Sequence, residues 1–244
     1  MGNPYFRFRQ FTVWHDRCAM KVGTDGVLLG AWAGQGRPGK ILDIGTGSGL
    51  IALMLAQRFP EARITGIEPD AEAAAQAGEN FLCSPWRDRL AVREATIQDF
   101  TAGTAGKETF DLIVSNPPFY DSTLLNPDAR RSAARHTATL PYSELMRCAS
   151  ALMTGTSELD IIIPSEYWRQ ILQAAGDNGL APQRLVRINS TPRSGIRRLL
   201  VSFGKNAEPP AHKESLTTED VLLTDADGSR SEWYRGLAGE FYLN

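Results

Sequence analysis

The sequence predicts an α/β protein, and three observations carry that expectation. Apolar runs rich in Ile, Leu and Val alternate with longer helical stretches between residues 40 and 203. One run, Lys40–Ile44, enters the glycine turn Gly45-Thr46-Gly47-Ser48-Gly49 and passes straight into the helical stretch Ile51–Gln57. That order places backbone N–H groups and a helix N-terminus beside a ligand. The next strand, Arg63–Glu68, ends in an acid about 20 residues on, where a carboxylate suits the two hydroxyls of a ribose.

The remaining elements follow in order. Residues 5–14 alternate apolar and polar at first and read as strands or a hairpin, with Phe6, Phe8 and Phe11 in the core. Val27–Trp32 is an apolar helix that Thr24 or Asp25 is placed to cap, and it is also placed to act as a lid over a bound ligand. Asp70–Phe81 is an Ala-rich helix ended by Ser84-Pro85. Leu90–Ala95 is a third strand, followed by Asp99, and residues 102–107 form a loop of small residues. Phe110–Ser115 is a fourth strand, stopped by two successive prolines. Residues 120–140 show no clear periodicity. Helices over Tyr142–Met153 and Glu166–Asp177 bracket a fifth strand, Leu159–Pro164. Strands Gln183–Asn189 and Ile196–Phe203 are separated by the turn Ser190–Gly195. The tail is acidic and turn-rich, and its late aromatics, Trp233-Tyr234 and Phe241-Tyr242, dock it on the core. One domain over 1–244 is expected, with N-terminal strands and lid helix over 1–36, a catalytic core over 37–206 and a packed extension over 207–244.

Composition narrows the function. Hydrophobic residues make up 42% and charged residues 22%, ordinary for a globular protein. No run of 18 apolar residues predicts a spanning helix, and the N-terminus lacks a basic-then-apolar leader pattern. The three cysteines are widely spaced, without metal-ligand spacing, so reduced thiols in the cytoplasm and no metal are expected. The net charge of −2 hides two basic segments. Residues 1–40 carry six Lys/Arg against two Asp/Glu, and residues 161–206 carry seven against two. If these meet on one face, they form a footprint for a polyanion.

The chemistry is carried by Asn116-Pro117-Pro118-Phe119. The Asn116 amide oxygen and the Pro117 carbonyl both accept hydrogen bonds, so together they grip the two hydrogens of a planar amino group, with Phe119 stacked on the ring that bears it. The glycine turn departs from the dinucleotide pattern, because Leu50 stands where a third glycine would fall. Asp43, just before the turn, is a poor neighbour for a pyrophosphate and a good one for an α-ammonium group. S-adenosylmethionine carries that ammonium, a ribose for Glu68 and no phosphate. Asp99 is placed to accept from its adenine amino group.

These motifs resemble the cofactor and catalytic motifs of class I S-adenosylmethionine-dependent amino methyltransferases. More narrowly, Phe6-Arg-Phe-Arg-Gln-Phe11, Met20-Lys-Val-Gly-Thr-Asp-Gly26 and the Phe241-Tyr-Leu ending resemble bacterial tRNA(Val) adenine-N6-methyltransferases. The resemblance spans essentially the whole chain. It implies a Rossmann-like, seven-stranded, mostly parallel sheet with helices on both faces. It implies that Gly45, Thr46, Gly47 and Gly49 line the cofactor, and that Lys21, Thr24 and Asp25 close over its methionine end. The implied reaction takes a methyl group to the exocyclic N6 of adenine 37, in the anticodon arm of tRNA, and releases S-adenosylhomocysteine without a metal. Arg7, Arg9, Arg130, Arg131, Arg135, Arg193, Arg197 and Arg198 are the expected RNA contacts of a monomer. Guanine N2 of ribosomal RNA and a protein glutamine amide remain alternative acceptors at this stage, since each is a planar NH2 group.

Overall fold

The computed structural model describes residues 3–104, 108–117, 140–205 and 216–243. Strands β1 (Tyr5–Arg7) and β2 (Thr12–Trp14) pair as an antiparallel hairpin. They are followed by helix α1 (Thr24–Trp32) and then by alternating units. These are β3 (Lys40–Ile44), α2 (Leu50–Arg58), β4 (Arg63–Glu68), α3 (Ala71–Leu82), β5 (Leu90–Glu94), α4 (Ile97–Thr104) and β6 (Phe110–Ser115). The second half adds α5 (Tyr142–Leu152), β7 (Met153–Pro164), α6 (Trp168–Asp177), β8 (Leu180–Asn189) and β9 (Ile196–Lys205). β10 (Thr217–Leu222) and α7 (Glu232–Ala238) complete it.

The large sheet has the order β10-β8-β9-β7-β6-β3-β4-β5. Only β9 runs antiparallel to its neighbours; every other pair is parallel. The central strands are buried almost throughout, which is why they read as continuous apolar runs rather than alternating ones. Two cores form, one on each face. The first gathers α1, α2, the inner side of the hairpin and Phe241, and the second gathers residues of α4, α5 and α6. No helix among the described residues is long and apolar enough to cross a membrane.

Three details differ from the sequence reading. The sheet is one strand wider than seven, because the acidic tail supplies β10 on the edge beside β8 and then α7, capped by Ser231, which accepts from Tyr234 N at 3.1 Å. A tail rich in acids pairs at an edge because its partner strand is basic: Arg187 and Asp220 share two hydrogen bonds of 2.5 and 2.6 Å. Residues 102–104 continue α4 instead of opening a loop. Helix α1 begins after Gly23, and neither Thr24 nor Asp25 caps it. Helix α1 packs tightly on α2. A methyl group on Gly30 would lie 2.7 Å from Met54 Sδ of α2, so the two helices touch backbone to side chain with no room between.

Within β7, in register with Val114 of β6, buried Asp160 accepts from Gly34 N at 2.7 Å and from Arg184 Nη2 at 3.3 Å. The Arg184 guanidinium in turn lies 4.2 Å from the centre of the Trp32 ring. Burial pushes the Asp160 carboxyl up to about 6, against the downward pull of Arg184. This cluster ties the end of α1 to β7 and β8.

Candidate active site

In this sheet the chain order reverses between β3 and β6, because β3 is followed leftward by β6 and rightward by β4. Ligands of open α/β sheets bind outside the carboxyl ends of the strands at such a point. The register there is informative. Ile44, which precedes the glycine turn, pairs with Ser115, which precedes Asn116. Ser115 Oγ also donates to Ile44 O at 3.0 Å. The turn and the amide therefore leave adjacent strands side by side, one strand spacing (about 4.8 Å) apart.

The turn is shaped by its own residues. Gly45, Gly47 and Gly49 have φ of 69°, 54° and 81°, which disfavours any side chain. At Gly49 a methyl group would strike Phe81 at 2.4 Å, whereas the space facing Gly45 and Gly47 is open to 4 Å. So one glycine serves packing and two face a cradle. Asp43 is fully buried, and its Oδ2 accepts from Thr46 Oγ1 at 2.6 Å and Ala52 N at 3.2 Å. It thus fastens the turn to the first turns of α2, a task the sequence reading did not assign. Its Oδ1 meets no hydrogen-bond partner among the described residues. Burial pushes this carboxyl up to about 7, opposed by those two hydrogen bonds.

Glu68 ends β4 and reaches back to the turn, accepting from Gly47 N at 2.9 Å through Oε2 and from Asp70 N at 3.2 Å through Oε1. Both bonds aim the carboxylate, and each oxygen keeps a lone pair for a further donor. Burial raises its pKa. Asp99 lies exposed in the first turn of α4 and accepts from Thr96 Oγ1 at 2.7 Å. Asn116, Gly45–Gly49, Glu68 and Asp99 thus follow β6, β3, β4 and β5 across four adjacent strand ends. Asn116 Oδ1 is buried and accepts nothing among the described residues. Pro117, beside it, is buried. Pro118, Phe119, Arg130, Arg131 and Arg135 lie outside the described residues.

The segment from His15 to Gly23 borders this row. His15 is buried, with Nε2 on Asn3 O at 3.0 Å and Nδ1 accepting from Val22 N at 3.3 Å. Cys18 donates to Gln76 Oε1 at 3.1 Å, and its thiol is pushed up to about 12, first by burial and then by the charges of Glu68 and Asp70. The segment therefore passes the Glu68 carboxylate before Lys21, exposed, and Thr24, exposed, lead into α1. Asp25 turns to Arg198, accepting from its Nε at 2.8 Å. Sequence reasoning missed Gln76 and Asn80, which hold this segment and the hairpin to α3. Their signal was available: two amides four residues apart on the otherwise Ala- and Phe-lined buried face of α3.

Several residues of the two basic segments are paired with acids. Arg184, Arg187 and Arg198 pair with Asp160, Asp220 and Asp25, and Arg17 pairs with Glu79. Arg37 and Lys40 sit at the opening end of β3, away from the glycine turn. Arg193 and Arg197 are exposed at the turn into β9 and its start, and Arg7 and Arg9 are exposed on and beside β1.

A sheet of this order with a glycine turn, an acid ending the next strand and an Asn-Pro corner defines a class I S-adenosylmethionine-dependent methyltransferase. Residues 22–139 match the family model of the methyltransferase small domain. Among curated relatives, the tRNA1(Val) (adenine(37)-N6)-methyltransferase of Bacteroides thetaiotaomicron is 44% identical, covering 100% of this chain and 99% of its own. That of Phocaeicola vulgatus is 43% identical, with 100% of both chains covered. Among solved structures, an Agrobacterium tumefaciens protein described as a predicted O-methyltransferase superposes with a TM-score of 0.67 at 22% identity, covering 91% of this chain and 98% of that one. The chain belongs to the tRNA1(Val) (adenine(37)-N6)-methyltransferase family.

Proposed function

We propose that this chain moves the methyl group of S-adenosylmethionine to N6 of an adenine in tRNA, adenine 37 of tRNA1(Val) as in its relatives' names. The observation that carries the chemistry is Asn116 Oδ1: buried, at the end of β6, beside the glycine turn and without a partner among the described residues. A buried acceptor favours a donor, because leaving it unpaired costs about 1–3 kcal/mol. The full-length relatives favour tRNA adenine over ribosomal guanine or a glutamine amide.

For the donor, the open space at Gly45 and Gly47 and Asp43 Oδ1, unpartnered among the described residues, fit a ligand bearing a cation. Glu68 and Asp99 would take its ribose and adenine, and the segment carrying Lys21, Thr24 and Asp25 would cover its methionine end. When bound, S-adenosylmethionine supplies a methyl group already activated by the positive sulfur. The chain's own residues then act on the acceptor. An aromatic amino nitrogen shares its lone pair with the ring. Asn116 Oδ1 and the Pro117 carbonyl, by accepting its two N–H groups, favour the tetrahedral nitrogen that forms as the new N–C bond does. Phe119 would hold the base by stacking and Pro118 would stiffen the corner. The target must first leave its stack, which costs least in a loop. Phosphate contact falls to Arg7, Arg9, Arg193 and Arg197, together with Arg130, Arg131 and Arg135. Arg198 already has Asp25 and serves to place α1. The chain acts as one domain over 1–244, as a monomer in the cytoplasm.

The test is Asn116→Ala assayed with labelled S-adenosylmethionine on tRNA lacking the modification. N6-methyladenosine formation should fall by at least about a hundredfold, with donor affinity held within about threefold. Retained turnover would remove the assigned role, and labelled methylguanosine or protein would move the acceptor.

A further inference from the structure

The hairpin carries a feature that the reaction does not use. Tyr5 and Trp14 are register partners across β1 and β2, their ring centres 4.9 Å apart. They are 38% and 46% exposed, while their strand neighbour Val13 is fully buried. The hairpin therefore has an inner face that joins the core and an outer face that shows two aromatic rings to solvent. Arg7 is two residues from Tyr5 on the same strand, so it shares that outer face, and it is exposed. Thr12 is its register partner. The four residues of this face include no acid.

The face is also fixed in place. The buried side-chain amide of Asn80 accepts from Trp14 N at 3.0 Å and donates to Trp14 O and to Ser48 O, each at 2.8 Å. Ser48 belongs to the glycine turn. One amide thus clamps the strand bearing Trp14 to the loop that cradles the donor, and the rings need no ordering when they are covered.

We infer that the outer face of the hairpin, formed by Tyr5, Arg7 and Trp14, is a second base-binding surface that takes an unpaired nucleotide of the tRNA, distinct from the target adenine. This rests on the tRNA reading above. The occupant follows from the chemistry. Two exposed rings accept the face of a base, and the guanidinium beside them meets its phosphate, a pairing that fits single-stranded RNA. Extruding a base for reaction also leaves its loop neighbours without a stacking partner, and this face offers one.

The experiment measures tRNA affinity of the full chain across a potassium chloride series, with donor affinity as the measure of an intact fold. Trp14→Leu should weaken tRNA binding about tenfold at every salt concentration without changing the salt slope, because stacking releases no counterions. Trp14→Phe should stay within about threefold of the parent. Arg7→Ala should instead lower the slope by about one. If Trp14→Leu fails to fold, tryptophan emission decides: tRNA should quench the parent more than Trp14→Phe. Equal affinity of Trp14→Leu and the parent, or equal quenching, overturns the surface while tRNA methylation stands. A parent dimer lost in Trp14→Leu assigns the face to a second copy and overturns it too. A parent chain that binds no tRNA at all removes both this surface and the reading beneath it.

Discussion

Arg198 Nε donates to Asp25 Oδ2 at 2.8 Å, and that ion pair joins the first turn of α1 to β9 across 173 residues of sequence. It stands at the active end of the sheet, since Arg198 pairs in register with Pro164, the last residue of β7. Its side chains are 35% and 24% exposed. We therefore expect a coupling of only about 0.5–1 kcal/mol after solvent screening. Arg198→Ala and Asp25→Asn should each weaken donor binding, and the double variant should weaken it by less than the sum of the two. Isothermal titration of all four proteins checks this. Additive losses would mean that the pair does not place α1 over the donor.

Arg193 and Arg197 should behave differently. Both are exposed and neither approaches the glycine turn in sequence or register. Replacing both with alanine should leave donor affinity unchanged and reduce the slope of log affinity for tRNA against log salt by about two, one for each phosphate contact. An unchanged slope would make them a solvated surface.

Asp43 should make donor binding depend on pH. Its carboxyl titrates near 7 in the free protein because burial disfavours the charge. A folded pKa raised above the unfolded 3.8 means that ionisation opposes folding. The free protein therefore loses stability as pH rises from about 4 to about 7, at up to about 1.4 kcal/mol per unit. A bound cation favours the ionised form. Affinity for the donor should accordingly fall as pH drops below about 7, by up to about tenfold per unit, over a range where the donor's own ammonium stays protonated. Asp43→Asn should bind more weakly at pH 7.5 and show no such slope. A parent protein with flat affinity between pH 5.5 and 7.5 would mean that Asp43 serves the turn alone.

Asp160 predicts stability without function. Asp160→Ala leaves Gly34 N without its acceptor and strips Arg184 of its nearer carboxylate, with Glu158 at 3.6 Å remaining. Removing one partner of a buried pair costs about 3–5 kcal/mol, so thermal unfolding should shift well downward. Turnover measured below that transition should be nearly unchanged, because Asp160 spends its carboxylate on Gly34 and Arg184 and, in register with Val114, stops short of the strand end that carries Asn116. Loss of turnover without loss of stability would contradict this placement.

How far the sequence reached differs from residue to residue, for physical reasons. The glycine turn and the Asn-Pro corner were legible because local backbone chemistry demands them: positive φ needs glycine, and prolines end a strand. The alternation of strand and helix determined the α/β class in the same way. What stayed hidden depends on pairing between distant segments. Two basic segments suggested a footprint if they met on one face, yet Arg184, Arg187 and Arg198 find Asp160, Asp220 and Asp25 once the strands align. The tail read as turns because β10 is mostly exposed and polar, and only the basic edge of β8 makes it a strand. The sequence by itself determined the turn, the corner and the class of ligand, all set by contacts within a few residues. Only the tertiary structure decided which arginines still face solvent, that Asp43, expected only to meet a ligand's ammonium, also builds the glycine turn, and that the hairpin turns two rings outward beside it. Those outcomes come from side chains meeting across the sheet, and chain order alone does not contain that distance.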